Sequence, residues 1–101
     1  MKILLSPRAQ RDLRAYLFYV AATADPMVAE RERARIHRVL SDYASLPTDG
    51  RMIVLQSERG ERRVHRWIAH PFHLYYERRG DVFYVVRLYH AARQPLERGP
   101  R

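Results

Sequence analysis

The chain has 101 residues, is 47% hydrophobic and contains no cysteine. This sizes it for one domain with a modest core and excludes disulfides, thiol catalysis and the usual zinc–thiolate centres. Nineteen Lys/Arg against eleven Asp/Glu leave a formal charge of +8 and a sequence pI near 10.6. Residues 1–50 hold eight basic and six acidic side chains, net +2, and residues 51–101 hold eleven and five, net +6, so the excess lies in the second half and points to an acidic partner.

"MKILL" predicts a short first strand. Its apolar run stops at Ser6-Pro7, too soon for a signal peptide, and no stretch nears the ~20 apolar residues of a membrane helix. The expectation is a cytoplasmic protein with no membrane partner. Ser6 followed by Pro7 is a helix start, a serine N-cap with proline at the first helical position. Ala9, Leu13, Tyr16, Leu17, Val20 and Ala24 then recur at helical spacing, while Arg8, Arg11, Asp12 and Arg14 fall off that stripe. Asp25-Pro26 repeats the start signal, and Ala29, Ile36, Val39, Leu40 and Tyr43 make a second stripe. Mixed charges from Glu30 to Arg38 supply a solvated face. The link is short, so the two helices are expected to form an antiparallel hairpin that ends at "SLPTDG".

Beyond Gly50 the period changes to that of strands. "RMIVLQ", "RRVHRWIA", "FHLYYER" and "VFYVVRLYH" read as four strands separated by "SERGE", His70-Pro71 and "RGD". Within the second of these, Val64, Arg66 and Ile68 share one face and Arg63, His65 and Trp67 the other. The run from Val82 to Val86 is almost wholly apolar, which marks a central strand covered on both faces. The predicted fold is α+β, in the order β-α-α-β-β-β-β. The helical hairpin lies on one face of a twisted, mostly antiparallel sheet, and one domain spans 1–101. The face away from the helices, or the sheet edge, is where a site is expected.

Four groups of residues carry chemistry. Arg51, Arg62, Arg63, Arg66 and Arg87 would hold phosphate if they converge, or keep a strand edge soluble if they do not. Arg87, Tyr89 and His90 end the last strand, where a histidine can serve as general acid or base or simply bond the backbone. His65, His70 and His73 lack the spacing of a metal site, so no metal or other cofactor is expected. Among the aromatics Trp67, Phe72, Tyr75, Tyr76, Phe83, Tyr84 and Tyr89, most suit a core. Trp67 is the candidate for an exposed stacking ring because it alternates with His65 and Arg63.

"LSPRAQRDLRAYLFYV", a second helix ending "SLPTDGR", "RRVHRWIA", "FHLYYER" and "DVFYVVRLYHAARQP" occur in this order over nearly the whole chain. In these pieces the chain resembles the RelE/ParE superfamily of type II toxin–antitoxin toxins. The Gly50-Arg51 element and the ending His90-x-x-Arg93 look more like the ParE side. The resemblance implies a plasmid-stabilisation (addiction) toxin that poisons DNA gyrase without being an enzyme. It implies a cognate antitoxin whose acidic C-terminal segment wraps the toxin. Arg51, Arg62, Arg63, Arg66, Trp67, Tyr89 and Arg93 are the candidates for binding a partner or nucleic acid. The alternative it carries is a RelE-like mRNA endonuclease acting on the ribosome, with His90 and Arg87 as catalytic residues. An inactive relative that only binds an antitoxin is the third. The chain has His73 where arginine commonly precedes "LYY", has no paired lysines, and continues past His90 rather than ending on a histidine–tyrosine terminus.

Overall fold

The computed structural model describes residues 1–57 and 59–90. The elements are β1 (Lys2–Leu5), α1 (Pro7–Thr23), α2 (Pro26–Ala44), β2 (Arg51–Ser57), β3 (Gly60–Ala69), β4 (Phe72–Arg79) and β5 (Val82–His90). This is the order and the α+β class expected from the sequence. The strands form one sheet in the order β1-β5-β4-β3-β2, with β1 parallel to β5 and every other pair antiparallel. β5 is therefore interior, as its apolar run predicts.

Both helices start as their sequences dictate. The Ser6 hydroxyl accepts a hydrogen bond from the Ala9 amide at 3.0 Å, and the Asp25 carboxylate accepts one from the Val28 amide at 3.0 Å. Each cap is followed by proline, whose missing N–H is no loss in the first turn. The α1 stripe buries Ala9, Leu13, Leu17 and Val20, and the α2 stripe buries Ile36, Leu40 and Ala44. These residues pack on Phe72, Leu74, Tyr76, Phe83, Val85 and Leu88 of the sheet to make the main core. Ala24, counted in the α1 stripe from the sequence, is the exposed C-cap instead.

A second, smaller core lies on the opposite face of the sheet. Leu55, Val64, Tyr75 and Val86 are buried there, with Ile53, Tyr84 and Tyr89 packed around them. It depends on an irregularity in β5. Tyr75 pairs with Arg87 while Tyr76 pairs with Val85, so Val86 is an extra residue, a β-bulge. The bulge shifts the alternation by one. Arg87 then falls on the face of Tyr75, away from the helices, instead of on the face of Val85.

Two polar knots fix the layers. At one end, Ser6 closes the short β1–β5 ladder. Its amide donates to the Val85 carbonyl at 2.9 Å and its hydroxyl donates to the Val86 carbonyl at 2.7 Å, so the N-cap also satisfies the bulge. One turn on, the Asp12 carboxylate accepts from the Leu88 amide at 3.1 Å, where β1 no longer runs alongside. At the other end, Arg78 donates to the Ala44 carbonyl at 3.0 Å and the Leu46 carbonyl at 3.1 Å, capping the C-terminus of α2, and forms an ion pair with Asp49. Asp49 also accepts from the Tyr76 hydroxyl at 3.2 Å, and that hydroxyl accepts from the Gly50 amide at 2.7 Å. Gly50 lies directly against β3: a Cβ there would sit 2.2 Å from the Arg66 carbonyl oxygen.

Candidate functional site, an arginine-lined groove on the open sheet face

The bulge and the Ser6 knot bring the start of α1 to the rim of the face that carries no helix among the described residues. Between that rim and the β2–β3 hairpin lies a groove of about 690 Å³. Ser6, Pro7, Arg8 and Arg11 form one wall, Leu55, Gln56, Arg59 and Arg62 the other, and Tyr84, Val86 and Arg87 the floor. Five arginines meet there from four separate stretches of chain.

Two of the five are held in place. Arg87 makes a bidentate pair with Asp12, Nε to Oδ2 at 2.7 Å and Nη2 to Oδ1 at 3.0 Å, with side chains only 15% and 10% exposed. Arg62 pairs with Glu77 in the same way, at 3.0 and 2.9 Å. The hydrogen bonds from Arg62, followed by those from Arg79, hold the Glu77 carboxyl below the ordinary glutamate range although burial opposes them. The Arg87 guanidinium also stands 5.5 Å from the Tyr89 ring, and that of Arg79 stands 4.2 Å from the Tyr84 ring. Arg8, Arg11 and Arg59 are exposed and have no ion pair among the described residues.

The sequence-named residues divide between the faces. Arg51 and Arg66 are opposite one another on β2 and β3, and Arg62 is opposite Leu55, so all three belong to the open face. Arg63 is opposite Val54 and points to the other side, as its alternation with Arg66 predicts, so it does not converge with Arg62, Arg66 and Arg87. Trp67 is a correction. It is half-buried against the main core, 5.6 Å from the Tyr43 ring, and its indole N–H is buried without a hydrogen-bond partner among the described residues. The alternation placed Trp67 with His65 as expected, but that face is the one the helices cover. Arg93 lies outside the described residues.

His90 pairs with Phe72 of the main core and stacks on Tyr16 of α1 at 5.7 Å. It therefore sits on the helix side of β5, opposite in facing to Arg87. His65 faces the helices too, its Nδ1–H donating to the Gly50 carbonyl at 3.0 Å, whereas His73 faces away. No group of three metal-type ligands converges among the described residues.

Arg8, Arg11 and Arg59 were not among the sequence candidates. The first two read as the solvated side of a helix and the third as part of a turn. The one signal they carried was the i, i+3 spacing of Arg8 and Arg11 beside Asp12, which places both on the polar face of α1 but does not reveal what that face overlooks.

Two helices packed on one side of a mixed five-stranded sheet, in the order β-α-α-β-β-β-β, are the fold expected of the class of small toxins that the sequence resembles. A family model described as the ParE toxin of type II toxin–antitoxin system, parDE, matches residues 3–95, and the chain belongs to this family. A cognate antitoxin is the partner that membership entails. Among solved structures, one described as the chromosomal ParDE TA system from P. aeruginosa is similar in fold. It has a TM-score of 0.68 and 19% sequence identity, and the match covers 89% of this chain and 95% of that one. Comparison with curated proteins finds no match. No described helix is long and apolar enough to cross a membrane.

Proposed function

We propose that this toxin inhibits DNA gyrase by binding it, without catalysing a reaction, and that an acidic C-terminal segment of the antitoxin neutralises it. The observation that carries the first part is the facing of β5. Cutting an RNA chain through its 2′-hydroxyl needs a general acid or base beside the cation that holds the phosphate. The bulge at Val86 sends Arg87 to the open face and leaves His90 under Tyr16 on the other, so the two do not act on one phosphate. Among the described residues, the lining of the groove contains no histidine and no carboxylate. Family membership supports a toxin, and this geometry favours a binding toxin over a cutting one. The net charge of +8 supports an acidic partner segment.

The test is to purify the full chain free of antitoxin and assay it for gyrase supercoiling and, in parallel, for cleavage of ribosome-bound message. Loss of supercoiling with intact message is expected, and His90→Ala is expected to keep that inhibition once its folding is verified. Cleaved message with unaffected supercoiling would overturn the reading. So would a loss of message cleavage of ~10²–10⁴-fold on His90→Ala, the usual size of a lost general acid or base.

A further inference from the structure

We propose that the arginine-lined groove is a second binding site, one that takes the phosphodiester backbone of duplex DNA. The site is built by the fold. Its lining holds five guanidinium groups and, among the described residues, no carboxylate. Asp12 and Glu77 stand behind Arg87 and Arg62 and fix the direction of their forks, which leaves three of the five, Arg8, Arg11 and Arg59 at the rim, without an ion pair among the described residues. Those three come from the first turn and second turn of α1 and from the β2–β3 turn, so they flank the groove from opposite sides. A planar guanidinium suits the paired oxygens of a phosphate. Duplex DNA offers a dense phosphate row, one charge per ~1.7 Å of axis, and cations fixed against it release the counterions condensed on the DNA.

The floor argues in the same direction. Leu55, Val86 and Tyr84 are apolar or aromatic, and Arg79 already covers a face of the Tyr84 ring. Base stacking is thus not what the floor offers, and among the described residues Gln56 is the one uncharged amide in the lining. Backbone contact without base readout is the mode such a surface supports. This site is independent of which protein the toxin inhibits.

The experiment measures binding of the full chain to a labelled duplex DNA by fluorescence anisotropy across a range of salt concentrations. The groove variant Arg8→Gln/Arg11→Gln/Arg59→Gln is compared with a charge-matched variant outside the groove, Arg14→Gln/Arg31→Gln/Arg38→Gln. All six side chains are exposed, so both variants are expected to melt like the parent. The groove variant is expected to bind more weakly and to lose about 0.9 in the slope of log K against log salt per phosphate contact removed, close to 3 for all three. The control is expected to keep most of the parent slope. Equal losses in both variants would reduce the effect to net charge and overturn the site. Two further probes discriminate the occupant: a single-stranded RNA and a polyglutamate peptide, each of the same charge as the duplex. Tighter binding of either than of the duplex, lost in the groove variant, would overturn the assignment to DNA. Failure of DNA binding with gyrase inhibition intact would overturn this inference and leave the proposed function standing.

Discussion

Ser6 does two jobs with one hydroxyl, capping α1 through the Ala9 amide and closing the bulge through the Val86 carbonyl. Its replacement by alanine would remove both. The expected loss is about 1 kcal/mol for the cap and a further ~1–3 kcal/mol for a buried carbonyl left unpaired. Urea denaturation of Ser6→Ala should show it, and a loss below that of an ordinary surface cap would contradict the second role. Asp12 is the other residue whose removal strands a partner. Asp12→Ala leaves the Arg87 guanidinium and the Leu88 amide without their acceptor, and the expected cost is about 3–5 kcal/mol, as for other broken buried pairs. Removing the charge as well, in Asp12→Ala/Arg87→Leu, should recover part of that loss. A double variant less stable than Asp12→Ala alone would refute the account. The sequence marked Ser6 and Arg87 but not Asp12, because a carboxylate off the apolar stripe of a helix reads as solvated until its neighbour 75 residues away is known.

At the level of elements, the loop between α2 and β2 works as a clamp. Arg78 caps the end of α2, Asp49 pairs with Arg78, and Tyr76 ties both to Gly50. The sequence marks "SLPTDG" as the end of the second helix, and α2 stops at Ala44, just before it. What the sequence lacked was the reason for glycine, which is the approach of Gly50 to the β3 backbone. Gly50→Ala should therefore cost toward or beyond the upper end of the ~1–3 kcal/mol typical of overpacking, because the atom in the way is a carbonyl and not a movable side chain. Gly80→Ala, which meets no atom within 4 Å but has φ +61°, should cost only about 1–2 kcal/mol. Thermal melts of the two variants check the ranking, and the reverse order would exclude the close-approach explanation. The strands themselves were legible to within one or two residues, since their period and turn residues are local signals. The bulge was not, because nothing in "VFYVVRLYH" marks where one residue goes unpaired.

Over the whole molecule, ion pairs make stability depend on acid. The Glu77 carboxyl is held low chiefly by the hydrogen bonds of Arg62, and the Glu32 carboxyl chiefly by those of Arg35. Both folded values lie below the ordinary value of 4.5, so the stabilisation is complete above that pH and is lost as pH falls through the lowered values. The melting temperature should drop steadily from pH 5 toward pH 3, and Glu77→Gln should flatten part of that drop. An unchanged melting temperature over this interval would contradict the assignment. Glu77 and, separately, Asp12 set the direction of two groove arginines, so the groove and the fold share their polar contacts.

By itself the sequence determined the order of elements, the helix starts, the interior position of β5 and the basic excess of the second half. Those properties follow from periodicity, capping chemistry and charge, which act between near neighbours in the chain. It also carried the likeness to the ParE toxins, which rests on motifs in order rather than on contacts. Only the tertiary structure decided which face each residue serves. A strand alternates strictly until a bulge intervenes, and which side the helices cover depends on how distant segments pack. For that reason Arg87 lands on the open face and His90 under α1, although their three-residue spacing alone sets them on opposite faces, and Trp67 turns toward the core. Arg8, Arg11, Arg59, Arg62 and Arg87, spread over 80 residues, meet in one groove.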